Sequence, residues 1–167
     1  SGNPWQIHGI NFLPLTAGST YLGRRPDAML KNWGILQASL KPSDSTVWLD
    51  INYSMLATAD AALADQLLTA NSNYSPEAGD SRARTEHWIK TWRRVGKVDL
   101  NSWADVPTYA AFKNKDVSHR FAWNPTASPL TVNWNDGRSM VVAPGQVGYF
   151  RDFTRVVEMK PIPMNAK

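Results

Sequence analysis

Along the first 23 residues, apolar and polar positions follow no fixed period. The stretch "QIHGINFLPLTAGSTYLG", residues 6–23, mixes Ile, Phe and Leu with His8, Asn11, Thr16, Ser19, Thr20 and Tyr21. Gly9, Pro14, Gly18 and Gly23 break it. This predicts loop and turn with one short helical turn. The spacing becomes helical after Pro26, which suits a first helical turn, with Asp27 beside it at the favourable end of the dipole. Met29, Trp33 and Leu36 to Leu40 carry that helix to Pro42. Ser43, Asp44 and Ser45 offer caps for the next one. There Val47, Trp48, Ile51, Met55 and Leu56 share one face. Thr58 and Asp60 open or continue "ADAALADQLLTA", which ends near Asn71.

"NSNYSPEAGD", residues 71–80, is a polar loop. Ser81 caps a helix whose buried stripe is Trp88, Ile89, Trp92 and Val95, and Gly96 sits at its C-terminal cap. The period then changes to alternation. "TYAAF" and "SHRFAWN" flank "KNKD", and "LTVNW" and "RSMVV" flank "NDG". Both read as hairpins, and "VGYFRDF" adds a further strand. The whole is an α+β chain of antiparallel helices followed by a β-meander. The pattern equally suits part of an α/α barrel, and it does not choose between the two.

Composition narrows the chemistry. The 167 residues suffice for one domain with a core. The net charge of +4 is spread over pairs such as Arg24-Arg25 and Arg93-Arg94, not a basic run, so nucleic acid is not an expected partner. There is no cysteine, which excludes disulfides, thiolate metal ligands and a thiol nucleophile. No apolar run reaches the roughly 20 residues of a membrane span. The chain starts at Ser1 without Met and reads as a segment of a longer polypeptide or as one carrying a cloning scar.

No G-x-S-x-G, H-E-x-x-H, P-loop or G-x-G-x-x-G occurs, so nucleophilic elbows, zincins and nucleotide folds are unsupported. Of the three histidines, His87 reads as a half-exposed helix residue after Glu86, and His119 as a surface residue of a predicted strand beside Arg120. His8, beside Gly9, is either a structural hydrogen-bonding group or a ligand contact. Paired carboxylates remain as a route to glycoside hydrolysis. Glu77 and Asp80 share one polar loop. They could face a cleft, or be solvated acids with Asp80 at a helix N-terminus. Trp5, Tyr21, Tyr74 and Trp103 fall in predicted loops, where flat rings suit the apolar face of a sugar or simply pack.

Three stretches together resemble glycoside hydrolase family 81, the endo-β-1,3-glucanases. "IHGINFLPLTAGSTYLG" resembles the segment leading into a late helix of the family's catalytic domain. "EAGDSRARTEHWIKTWRRVGKVD" resembles its Gly-acid-Ser loop and following helix. "ADVPTYAAFKNKDVSHRFAWNPTASPLTVNWNDGRSMVVAPG" resembles its C-terminal strands. The order is right and nearly the whole chain is covered.

The resemblance implies the C-terminal part of a secreted enzyme whose catalytic domain is an (α/α)₆ toroid. Residues 1–106 would be helical toroid and residues 107–167 a C-terminal antiparallel β segment. The family's catalytic Asp and Glu match no position here, so this chain would supply cleft walls and substrate positioning. His8, Asn11, Trp5, Tyr21, Tyr74, Glu77 and Asp80 are the substrate-side candidates, and Ile10, Phe12, Leu13 and Leu15 would point inward. Inverting acid–base hydrolysis of laminarin-like cell-wall glucan needs no metal or organic cofactor. The expected partners are β-1,3-glucan and upstream domains of the same polypeptide, with neither nucleic acid nor membrane. Two alternatives stay open: a stand-alone carbohydrate-binding module using loop tryptophans, and a packing domain without a ligand site. Helices cut from a toroid would leave apolar faces exposed.

Overall fold

The computed structural model describes residues 2–153. The expected β segment continues to residue 167, and residues 154–167 lie outside the described part.

The opening segment is more helical than its broken pattern predicts. Residues Pro4–Gly9 form α1, Ile10–Phe12 a 3₁₀ turn and Ala17–Arg24 a second 3₁₀ segment. Local caps hold these short pieces. Asn3 accepts from the Trp5 amide at 2.9 Å, and Thr16 and Ser19 form a reciprocal capping box. Leu15 is buried as expected, but Ile10 is 60% exposed, so that part of the inward-facing expectation is corrected. At the junction between α1 and the 3₁₀ turn, Ile10 lies on the side away from the helices behind.

Helix α2 spans Pro26–Ser39, α3 Leu49–Ala70 and α4 Arg82–Val95. Proline at the start of α2 and the Ser81 hydroxyl, accepting from the Arg84 amide at 3.2 Å, begin two of them where the sequence indicated. Gly96 ends α4 at φ 83°, and a Cβ there would stand 2.1 Å from the Lys113 carbonyl oxygen, so only glycine fits. Helix α3 departs from expectation twice. It bends at Asp60 (φ −142°, ψ 84°), whose carboxylate accepts from the Leu63 amide at 2.9 Å and so caps the second half. Its first half is buried all round, residues 49–59 without exception, instead of along one face. Asp50, Asn52 and Ser54 are each 0% exposed. Helices α2 and α4 cover α3 on two sides, and α1 covers it at its start.

Two strand pairs follow as the alternation predicts. Strand β1 is Lys97–Val98, β2 Tyr109–Asn114, β3 Val117–Trp123, β4 Leu130–Asn133, β5 Ser139–Val142 and β6 Val147–Phe153. They do not make one meander. Strand β6 pairs with β3, giving the antiparallel order β1-β2-β3-β6, while β4 and β5 form their own two-stranded sheet. The register Phe121↔Tyr149 and Ala122↔Gly148 lets the β4–β5 hairpin fold over one face. Gly148 is where that hairpin comes closest: an added Cβ would meet Val142 at 2.6 Å.

The main core joins helices and sheet. Trp5, Trp33 and Tyr53 pack with centroids 5.8–6.4 Å apart. Trp92 of α4 meets Phe112 of β2 edge-on at 5.6 Å. A smaller cluster of Ala111, Ala122, Val132, Trp134 and Val142 closes the other sheet face.

Candidate functional site

Gly79, at φ 96°, turns the Glu77–Asp80 loop back toward α4. Leu13 to Ala17 cross in front of it. With Ile51 and Arg84 they enclose a cavity of about 470 Å³. The loop is anchored from below, because the Glu77 amide donates to Asp50 Oδ2 at 2.9 Å. Burial pushes the Asp50 carboxyl above its ordinary range; the Glu77 amide opposes the shift and the charge of Asp80 adds to it.

The two loop acids are not alike. Asp80, whose side chain is 6% exposed, accepts from the Ser81 amide and from Arg84 Nη1, both at 2.7 Å. Its carboxylate is committed to the start of α4, as the N-terminal-charge alternative had it. The Glu77 carboxylate lines the same cavity and makes no hydrogen bond or ion pair among the described residues. The cavity therefore offers one free acceptor and one neutralised pair. It can hold sugar hydroxyls, but acid–base cleavage needs two working carboxylates on opposite sides of the bond.

The other candidates lie elsewhere. His8 sits on α1, half-buried, with Nδ1 3.0 Å from Asn32 Oδ1 on α2. This contact ties α1 to α2 through two side chains. The close approach that Gly9 permits is made by α3: an added Cβ would lie 3.1 Å from Asn52 Nδ2 and 3.3 Å from Trp48. Asn11 is exposed in the 3₁₀ turn. Tyr21 is 63% exposed and Trp103 54%, so both rings are accessible.

Trp5 and Tyr74 require correction as ring platforms. Trp5 lies in α1, not a loop, and is 6% exposed within the Trp33–Tyr53 cluster. Tyr74 is 7% exposed, with the Arg82 guanidinium 5.4 Å over its ring. A large apolar ring is worth more inside than out, and tertiary packing claimed both. The sequence reading also missed Asp50 and Asn52. A polar residue on an otherwise apolar helix was their only signal.

No family model matches the chain. It is 39% identical over 149 residues to a glucan endo-1,3-beta-D-glucosidase of Thermobifida fusca, covering 87% of this chain and 19% of that protein. A glucan endo-1,3-beta-D-glucosidase of Acetivibrio thermocellus is 35% identical over 144 residues, covering 86% and 18%. A solved structure of glycoside hydrolase family 81 from Clostridium thermocellum superposes with a TM-score of 0.80 at 33% identity, over 90% of this chain and 21% of that one. The chain is a relative of one segment of glycoside hydrolase family 81. It spans about a fifth of the length of the relatives it matches. In this chain, the "EAGDSRARTEHW" loop and helix bear Glu77, and residues 13–17 of the opening segment line the same cavity.

Proposed function

We propose that this chain is part of an endo-acting β-1,3-glucan hydrolase, and that it supplies walls of the substrate cleft. The carrying observation is the TM-score of 0.80 at 33% identity over nine-tenths of the chain, with a family 81 structure of which the matched part is 21%. Hydrolysis is inverting: one carboxylic acid protonates the leaving oxygen while a carboxylate activates water from the opposite face, the two roughly 6.5–9.5 Å apart. Those two groups come from another part of the polypeptide. Residues 1–106 act as the helical, toroid-derived wall, and the described part of the 107–167 segment, to residue 153, follows it as strands. Glu77 accepts from glucan hydroxyls in the 470 Å³ cavity, and Asp80 with Arg84 keeps the loop in place. Positioning of this kind matters because a displacement of about 1 Å can cost on the order of a hundredfold in rate. The enzyme acts on laminarin-like polysaccharide outside the cell and uses no cofactor.

Exposed apolar residues on the helical side support a larger body around this segment: Ile7 is 54% exposed, Ile10 60% and Ile35 52%. The test is reducing-end release from laminarin by the chain alone and by the full open reading frame that carries it. Turnover only by the longer protein is expected. Turnover by the chain alone would move the catalytic groups into it, and no turnover by either would refute the assignment.

A further inference from the structure

A groove of about 410 Å³ lies between the Ala17–Arg24 segment and the β1–β2 edge. Its construction starts at Gly23. A Cβ there would fall 2.7 Å from Trp92 and 2.8 Å from Val98, so only glycine lets the 3₁₀ segment seat this closely on the sheet. The close seating leaves Tyr21 standing at the rim, 63% exposed. Tyr109 lines the opposite element and is held edge-on against Trp134, at 5.6 Å and 88°.

The polar groups that share this lining are unusual. Ser102 lines the groove while only 5% exposed, and its buried hydroxyl has no partner among the described residues. A buried hydroxyl without a partner costs free energy that a bound hydroxyl would recover. Arg24 also lines the groove, and its guanidinium makes no hydrogen bond or ion pair among the described residues. Asp99, whose Oδ1 accepts from the Asn101 amide at 3.1 Å, brings the opposite charge.

We propose that this groove binds a neutral β-glucan chain. One cation and one anion on its lining cancel, which disfavours phosphates and acidic peptides. Exposed phenol rings suit the apolar C–H face of a pyranose, while a guanidinium, a carboxylate and a buried hydroxyl suit its ring of hydroxyls. The volume lies in the range of small-ligand sites. The choice of β-1,3 linkage rests on the function proposed above. The site itself rests on the groove, and it shares no residue with the Glu77–Asp80 cavity.

The test is calorimetric titration of the 167-residue chain with a laminari-oligosaccharide and with a cello-oligosaccharide of equal length. The variants are Tyr21→Ala, Arg24→Gln and Ser102→Ala, each checked for native melting. Tyr21 and Arg24 are exposed, so their replacement leaves folding intact. Binding of the laminari-oligosaccharide, weakened about tenfold by Tyr21→Ala, is expected. No binding by the native chain, or unchanged binding in both Tyr21→Ala and Arg24→Gln, would overturn the proposal. Equal binding of the cello-oligosaccharide would overturn its β-1,3 assignment. Laminarin hydrolysis by the full open reading frame together with undiminished affinity in both Tyr21→Ala and Arg24→Gln would sink the groove alone. Absent hydrolysis with Tyr21-dependent binding would sink the enzymatic reading alone.

Discussion

Two glycines in helical backbone should respond oppositely to the same added methyl group. At Gly23 a Cβ would stand 2.7 Å from Trp92 Cη2 and 2.8 Å from Val98 Cγ2. That is roughly 0.7 Å short of ordinary carbon contact. Trp92 cannot yield cheaply: it is 3% exposed and wedged between Trp88 and Phe112 at centroid distances of 5.9 and 5.6 Å. Overpacking of this kind costs about 1–3 kcal/mol, offset by ~0.5–1 kcal/mol from a less flexible unfolded chain. Gly23→Ala should therefore lose up to ~2.5 kcal/mol, lowering Tm by up to about 10 °C at this chain length. Gly34 lies inside α2 with nothing within 4 Å of an added Cβ. There the helix-propensity gain is unopposed, and Gly34→Ala should add ~0.5–1 kcal/mol. Urea and thermal unfolding followed by circular dichroism measure both. A Gly23→Ala chain at least as stable as Gly34→Ala would refute the close seating of the 3₁₀ segment on Trp92, and with it the geometry of the groove.

Two further substitutions probe the buried polar residues of α3. Burial, with Asp80 adding, raises the folded-state pKa of Asp50 above the usual 3.8. The folded chain then holds a proton that the unfolded chain releases, so stability falls as pH rises from about 4 through the folded pKa. Asp50→Asn should remove that fall, gaining on the native chain by up to ~1.4 kcal/mol per pH unit within the window. A pH-independent difference in urea midpoints between pH 4 and 7 would contradict this. Asn52 Nδ2 donates to the Trp5 and Trp48 carbonyls at 2.8 and 2.9 Å, tying α1 to α3. Asn52→Ala should cost ~1–3 kcal/mol in denaturant unfolding, and an unchanged midpoint would show that this tie carries no stability.

Much of the architecture could be read directly. Helices α2 and α4 announce themselves through period and caps, because Pro26, Ser81 and Gly96 act on their own backbone within a turn. The Asp136-Gly137 hairpin is equally local, with Gly137 at φ 86°. The opening segment resisted reading because its 3₁₀ pieces have no amphipathic period. Capping and docking onto α3 decide them. Of the candidate site, Glu77 could be picked out as a loop residue; Tyr21, read as loop, lies in the Ala17–Arg24 3₁₀ segment, and both line cavities. Trp5 and Tyr74 could not be told from them, since an aromatic residue looks the same in sequence whether its ring is packed or free.

The sequence alone determined what depends on neighbours along the chain: helix starts and stops, strand pairs, the absence of thiol chemistry, and the ordered stretches that mark family 81. Tertiary structure decided what depends on residues far apart. It set β6 beside β3, buried Asp50 and Asn52 against the Glu77 amide and the Trp5 carbonyl, committed Asp80 to α4, and brought Ser102, Tyr21 and Tyr109 to the lining of one groove. Hydrogen-bond partners and burial across such separations are fixed only when the chain closes on itself. One strand of residues carries no record of which distant group will take up a given polar atom.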